Sequence, residues 1–166
     1  MTVICHDWEF YEDGKTIRPI SVGLVSETGE ELYRVFDDSR AACAHSDWLM
    51  KNVWPHVKDE PTFPAEQIAL EVKDFILSFN QPELWAWYGA YDHVALAQTL
   101  GGPMINLPKG VPMFTNDIKT LDKLLRRKGL EVKIPSQLPG TEHHALWDAH
   151  HDMNLYNAFT EVLNGL

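Results

Sequence analysis

The chain of 166 residues reads as an α/β protein, a mixed sheet flanked by helices. Three observations point there. Its first third holds three apolar, strand-like stretches, and a fourth, Leu84–Tyr88, sits between stretches of helical periodicity. The remainder is helical apart from a proline-bearing loop. Strands interleaved with helices pack as a sheet covered by helices.

Each element has a local cause. Residues 2–7 form an apolar-rich strand running into Asp7. Ile17–Ser26 and Glu31–Phe36 are two further strands, and Thr28-Gly29 between them marks an antiparallel hairpin. Ser46–Val53 reads as a short helix stopped by Pro55, and Thr62 and Pro64 announce the next one. In that helix Ile68, Val72, Phe75, Ile76 and Phe79 form one apolar face. Pro82 separates it from the strand Leu84–Tyr88; Gly89 then opens a turn into a helix over Tyr91–Leu100, stopped by Gly101-Gly102. Asn116 can cap a helix ending at Gly129, with Ile118, Leu121, Leu124 and Leu125 on its inner face. A loop with Pro135 and Pro139 leads to a last helix over Leu146–Leu163, packed through Ala149, Met153, Tyr156 and Leu163.

Composition bounds the rest. The length fits one domain over residues 1–166, and 45% hydrophobic residues supply a core. The cysteines, Cys5 and Cys43, belong to no CxxC pair, which argues against a zinc ribbon or disulfide framework. No basic segment followed by an apolar run opens the chain, and no stretch approaches the roughly 20 apolar residues of a membrane span. The expectation is a soluble, cytoplasmic protein with no membrane partner. A net charge of −10 speaks against a non-specific nucleic-acid coat, which would be basic. It leaves open an enzyme that meets nucleic acid through bound metal.

Asp7 and Glu9 are the first candidates for chemistry. Residues two apart in a strand share a face, so Asp7-Trp8-Glu9 sets two carboxylates side by side with Trp8 pointing away. Adjacent carboxylates repel unless a cation or proton is shared, and paired oxygen ligands suit Mg²⁺ or Mn²⁺. A solvated strand end would show the same pattern. Asp92 follows a strand and lies in a helical first turn, where the helix dipole alone favours an acid. Strand ends in α/β sheets are also where sites gather. Asp148 opens the last helix, and His143 lies just before it with a proton affinity suited to general-base work near neutral pH. A competing pattern, His144, Asp148 and His151 on one helical face, could instead ligate a transition metal.

Taken in order, Asp7-x-Glu9, Asp92 after a strand and turn, and His143-x4-Asp148 resemble the DEDDh 3′→5′ exonucleases. Asp7-Trp8-Glu9-Phe10, Ile20-Ser21-Val22-Gly23, Leu84 to His93 and His143 to Ala149 are similar to the polyadenylate-specific 3′-exoribonuclease AS family over nearly the whole chain. The most specific block is Trp85-Ala86-Trp87-Tyr88-Gly89-Ala90-Tyr91-Asp92. The resemblance implies a ribonuclease H-like fold, two Mg²⁺ or Mn²⁺ ions held by Asp7, Glu9, Asp92 and Asp148, and His143 as general base. It also implies a single-stranded RNA 3′ end as substrate, with nucleoside monophosphates released and poly(A) the preferred tract, and a homodimer. Trp8 stands where such proteins often carry a small residue such as Thr.

For substrate contacts, Trp8, Glu9 and Phe10 are the candidates: Glu9 and the backbone near Phe10 for the terminal 3′-OH, the two aromatic rings for base stacking. Core packing would equally explain the ring of Phe10, and sheet packing explains Trp85 and Trp87. Lys119, Lys123, Arg126 and Arg127 form a stripe that could track phosphates, although a solvated helix face is the commoner meaning. Other readings stay open: a DNA 3′ exonuclease, a small-nucleotide phosphohydrolase, a histidine-rich metal binder, or a non-catalytic nucleic-acid-binding module.

Overall fold

The computed structural model describes residues 1–165. Six strands form one sheet: β1 (Thr2–Glu12), β2 (Ile17–Ser26), β3 (Glu31–Phe36), β4 (Thr62–Phe63), β5 (Pro82–Ala86) and β6 (Thr115–Asp117), in the order β4-β3-β2-β1-β5-β6. β1, β2 and β3 are antiparallel neighbours, whereas β5 lies parallel to β1, β6 to β5 and β4 to β3. The helices are α1 (Ser39–Cys43), α2 (Asp47–Asn52), α3 (Trp54–Val57), α4 (Ala65–Leu77), α5 (Ala90–Thr99), α6 (Ile118–Arg127) and α7 (Ala145–Asn164). This is the mixed, helix-flanked sheet of a ribonuclease H-like fold.

The period-two alternation of β1 sorts the core. Ile4 and Trp8 pack with Ile68, Val72 and Ile76 of α4 and Ala95 and Leu96 of α5. Val3 and Cys5 pack with Ile118 and Leu125 of α6 and Met153, Leu155 and Phe159 of α7. A third cluster joins Ile20 and Val35 to Ala42, Cys43, Leu49, Val53 and Val57 of α1–α3. Asp7 and Glu9 share the parity of Val3 and Cys5, so the carboxylate pair faces the α6–α7 side. Cys5 and Cys43 are free and buried. No described helix is long and apolar enough to cross a membrane.

The structure departs from the sequence reading at several boundaries. β1 does not end at Asp7; it runs on to Glu12 because Trp8–Glu12 pair with Ile17–Val22, through an irregularity between Glu9 and Phe10. The acidic pair therefore sits within a strand. β5 spans Pro82–Ala86 rather than Leu84–Tyr88, and Tyr88 takes a left-handed φ of 61° in the following turn. Pro55 does not end the helical region, since it occupies the first turn of α3, where a missing N–H costs nothing. Asp117, not Asn116, caps α6, accepting from Lys119 N. α1, β4 and β6 have no counterpart in the sequence reading.

Candidate active site

Each acid is presented by a different local device. Asp7 and Glu9 project from the middle of β1. Pairing with β5 stops at Cys5, so the Trp8 N–H beyond it has no ladder partner. Asp92, in the first turn of α5, accepts that N–H through Oδ1 at 3.0 Å. The turn leading to Asp92 is held by two further carboxylates: Asp152 accepts from Trp87 N at 2.7 Å and Asp117 from Tyr88 N at 3.2 Å. Gly89 is required there, because a Cβ would lie 2.8 Å from Thr115 Cγ2.

Asp148 lies in the first turn of α7. Gly23, paired with Asp7 across β1 and β2, lets α7 start directly on the sheet, since a Cβ there would fall 2.5 Å from Leu146 Cα. Asp148 Oδ2 accepts the His143 backbone N–H at 2.9 Å, and Oδ1 accepts from Gln137 Nε2. His143 adopts a φ of 65°, a conformation that non-glycine residues rarely take and that often accompanies function. Its ring meets the edge of Trp48 with centroids 4.7 Å apart, and Trp48 on α2 is 51% exposed. Ligand atoms of Glu9, His143 and Asp148 all lie within 4.8 Å of one another.

The electrostatics of the cluster are those of crowded anions. Burial pushes Asp7 well above the usual carboxylate range, helped by Asp92, Glu9, Asp148 and Asp152. Burial and then the Asp148 and Asp92 charges raise Glu9 to about 8. Asp92 is raised to about 7 by burial, against the opposing hydrogen bond from Trp8. Asp148 is also raised by burial, with Gln137 and the His143 N–H pulling the other way. Asp7 Oδ2 is buried with no hydrogen-bond partner. An orphaned carboxylate oxygen amid like charges fits a divalent cation, which would supply the missing partner and the opposite charge.

The cluster opens on a cleft of about 440 Å³ whose wall includes Asp7, Trp87, Lys119, Gln137, His143 and Asp148. Lys119 Nζ sits 4.4 Å above the Trp87 ring and 2.8 Å from Asp122, which also accepts from Arg126 at 2.6 Å. The basic stripe on α6 is thus partly neutralised by its own helix. Trp85 packs on Tyr156, as sheet packing requires.

Asp7, Glu9, Asp92, Asp148 and His143 therefore come together. The competing face of His144, Asp148 and His151 does not: His144 precedes α7 and stacks on Tyr33, with ring centroids 4.5 Å apart, and the metal-suited group among the described residues is Glu9, His143 and Asp148. His150 pairs with Glu31 at 2.8 Å. Trp8, expected as a base-stacking ring, is 3% exposed and belongs to the core, so stacking is closed to it. Phe10 stays partly exposed, stacked on Tyr91 at 5.9 Å and 9°. Asp152, Gln137 and Trp48 were not singled out in the sequence. Asp152 had a readable signal, four residues after Asp148 and so on the same helical face; the other two had none.

A mixed sheet on which four carboxylates converge beside a loop histidine is the arrangement of a hydrolase that works with divalent metal. Comparison narrows this class. Residues 2–160 match the family described as 3′-5′ exoribonuclease Rv2179c-like domain, and the chain belongs to that family. Two relatives from Mycobacterium tuberculosis, 3′-5′ exoribonuclease MT2234.1 (strain CDC 1551 / Oshkosh) and 3′-5′ exoribonuclease Rv2179c (strain ATCC 25618 / H37Rv), are each 38% identical over 165 residues, covering 95% of this chain and 92% of theirs. A chain from the structure of the yeast NOT1 MIF4G domain co-crystallized with CAF1 aligns over 98% of this chain and 80% of its own. With a TM-score of 0.54 and 11% identity, that likeness concerns the fold alone.

Proposed function

We propose that this chain is a DEDDh 3′→5′ exoribonuclease that releases nucleoside monophosphates from RNA 3′ ends. Asp7, Glu9, Asp92 and Asp148 hold two Mg²⁺ or Mn²⁺ ions, and His143 is the general base. The observation that carries the reading is the buried, mutually repelling carboxylate cluster with the unpartnered Asp7 Oδ2 at its centre. When bound, divalent ions neutralise such a cluster, activate water and stabilise a leaving oxygen.

The chain's own groups do the rest. The Trp8 N–H holds Asp92 toward the β1 pair, and the His143 N–H and Gln137 orient Asp148. The imidazole of His143 takes the proton from the attacking water. Trp48 packs against its ring and limits its swing. Glu9 and the backbone at Phe10 receive the terminal 3′-OH, and the Phe10–Tyr91 pair offers the terminal base a stacking surface. Preference for adenine tracts, function as a homodimer and a cytoplasmic location complete the reading, each supported by the family resemblance or the composition. The excess of acid predicts modest affinity for long RNA, with a shallow salt dependence.

One observation favours a second role for His143. Its ligand atom lies as near Glu9 and Asp148 as a metal site requires, so His143 could itself be a ligand.

The test is digestion of 5′-labelled poly(A), mixed-sequence RNA and matched DNA with Mg²⁺, Mn²⁺ or EDTA. The expected result is a ladder shortening from the 3′ end of RNA, fastest on poly(A) and abolished by EDTA. Equal or faster loss of DNA would overturn the substrate assignment. No cleavage of any polymer, with metal verifiably bound, would overturn the exonuclease reading.

A further inference from the structure

Behind the carboxylates, on the opposite face of β1, lies a chain of hydrogen bonds whose first two links are oriented by donor inventory alone. The Trp8 Nε1–H can only donate, and it lies 3.0 Å from His6 Nδ1. His6 Nδ1 must therefore be unprotonated. His6 is fully buried, and with Nδ1 accepting, its ring is neutral. Its one ring proton is consequently on Nε2, which lies 2.8 Å from Thr115 Oγ1 and donates to it. The same hydroxyl lies 3.0 Å from His93 Nδ1, and this hydrogen bond carries the chain on to α5. The chain runs Trp8, His6, Thr115, His93, and reversing either of its first two links would set the Trp8 donor against a second donor at His6 Nδ1.

Both ends of the chain adjoin the site. Trp8 lies between Asp7 and Glu9, and His93 follows Asp92. The Trp8 backbone N–H also reaches Asp92 directly. The network thus ties β1, β6 and the first turn of α5 into a closed loop around the contact between Trp8 and Asp92.

We propose that Trp8 is a positioning residue for the acidic cluster: its indole N–H sets the His6–Thr115–His93 hydrogen-bond chain that holds Asp92 against the Asp7/Glu9 strand. This gives a role to the bulky residue at position 8. No change of protonation is involved; the device is static. The inference rests on the metal-site reading above, with readouts chosen to separate the two.

Three variants test it. Trp8→Phe keeps an aromatic ring and removes the donor. Thr115→Val removes the hydroxyl, and Thr115→Ser keeps it. In the wild type, ¹⁵N–¹H correlation of the imidazoles should show His6 as a neutral Nε2–H tautomer. In Trp8→Phe, His6 should lose that single tautomer. Mn²⁺ affinity, read by electron paramagnetic resonance, should weaken about tenfold or more in Trp8→Phe and Thr115→Val, the scale on which outer-shell partners of metal ligands act. kcat should fall with it while KM for RNA changes less than twofold. Thr115→Ser should restore both Mn²⁺ affinity and rate to near wild type.

A His6 Nδ1–H signal in the wild type would overturn the proposal, even if Trp8→Phe fails to fold. So would wild-type Mn²⁺ affinity in Thr115→Val, or equal losses in Thr115→Val and Thr115→Ser. Failure of the exonuclease reading looks different: RNA stays intact with every variant, while the tautomer and Mn²⁺ measurements still decide this proposal.

Discussion

Gly23→Ala adds one methyl group at the closest approach of helix to sheet. Gly23 is the register partner of Asp7, and a Cβ there would lie 2.5 Å from both the Ala145 carbonyl carbon and Leu146 Cα. These are backbone atoms and cannot swing aside. Carbon atoms rest about 3.5–4.0 Å apart, so the start of α7 must retreat by about 1 Å. Overpacking of this kind costs about 1–3 kcal/mol, a Tm loss of roughly 2–12 °C for a chain of this size. Asp148 rides on the same helical turn and retreats from Asp7 and Glu9 with it. A misplacement of about 1 Å can cost roughly 10²-fold in rate. The assay is single-turnover shortening of 5′-labelled RNA at saturating Mn²⁺, with thermal unfolding in parallel. The expected result is a rate about 100-fold lower in a folded protein of reduced Tm. A variant with wild-type Tm and a rate within threefold of wild type would refute the seating of α7 on Gly23.

Three further outcomes are expected. His143→Ala should lower kcat by about 10²–10⁴ while leaving Mn²⁺ affinity, measured by calorimetry, within about twofold; a large loss of affinity would instead make His143 a ligand. Metal-free protein should lose stability as pH rises. Glu9 and Asp92 titrate near 4.5 and 3.8 when unfolded but at about 8 and about 7 when folded. The folded state therefore binds more protons across that window, and stability falls through it, by several kcal/mol at about 1.4 kcal/mol per tenfold change in proton affinity. Scanning calorimetry with EDTA at pH 5 and pH 8 reads this, and added Mg²⁺ should raise Tm more at pH 8; a metal-free Tm that rises with pH would contradict the crowding of these acids. Asp152→Asn keeps an acceptor for Trp87 N and removes a charge that raises Asp7, so it should stabilise the metal-free protein at pH 8. Asp152→Ala removes the same charge but leaves the Trp87 N–H unpaired, so it should be less stable than Asp152→Asn by about 1–3 kcal/mol, and an Asp152→Ala variant melting as high as Asp152→Asn would contradict the role of that hydrogen bond.

The parts of this account legible in sequence are those set by local pattern. β2 and β3 matched their expected bounds because alternation and the Thr28-Gly29 turn determine them. α4 and α7 followed their helical periodicity to within two residues. Asp7, Glu9, Asp92 and Asp148 sit at strand or helix positions whose direction the backbone period fixes, whereas His143 lies on the loop before α7 and is held by its N–H to Asp148. What depends on partners distant in sequence was not legible. The extension of β1 past Asp7 comes from pairing with β2, and β4 and β6 are short strands that exist only through Val35–Phe36 and Leu84–Ala86. Trp8 shows the limit most clearly. Its direction away from the carboxylates followed from strand alternation, but that this face is buried by α4 and α5 did not, and its hydrogen-bond chain spans residues more than 100 positions apart.

The central claim, that these carboxylates exist to hold divalent ions, is tested most directly by anomalous diffraction from crystals of the wild-type protein grown with Mn²⁺ and adenosine monophosphate. Two Mn²⁺ peaks bounded by Asp7, Glu9, Asp92 and Asp148, with the nucleotide phosphate beside them and His143 facing it, are the predicted result. Fully occupied Mn²⁺ at His144, His150 or His151, with none among the four carboxylates, would contradict it.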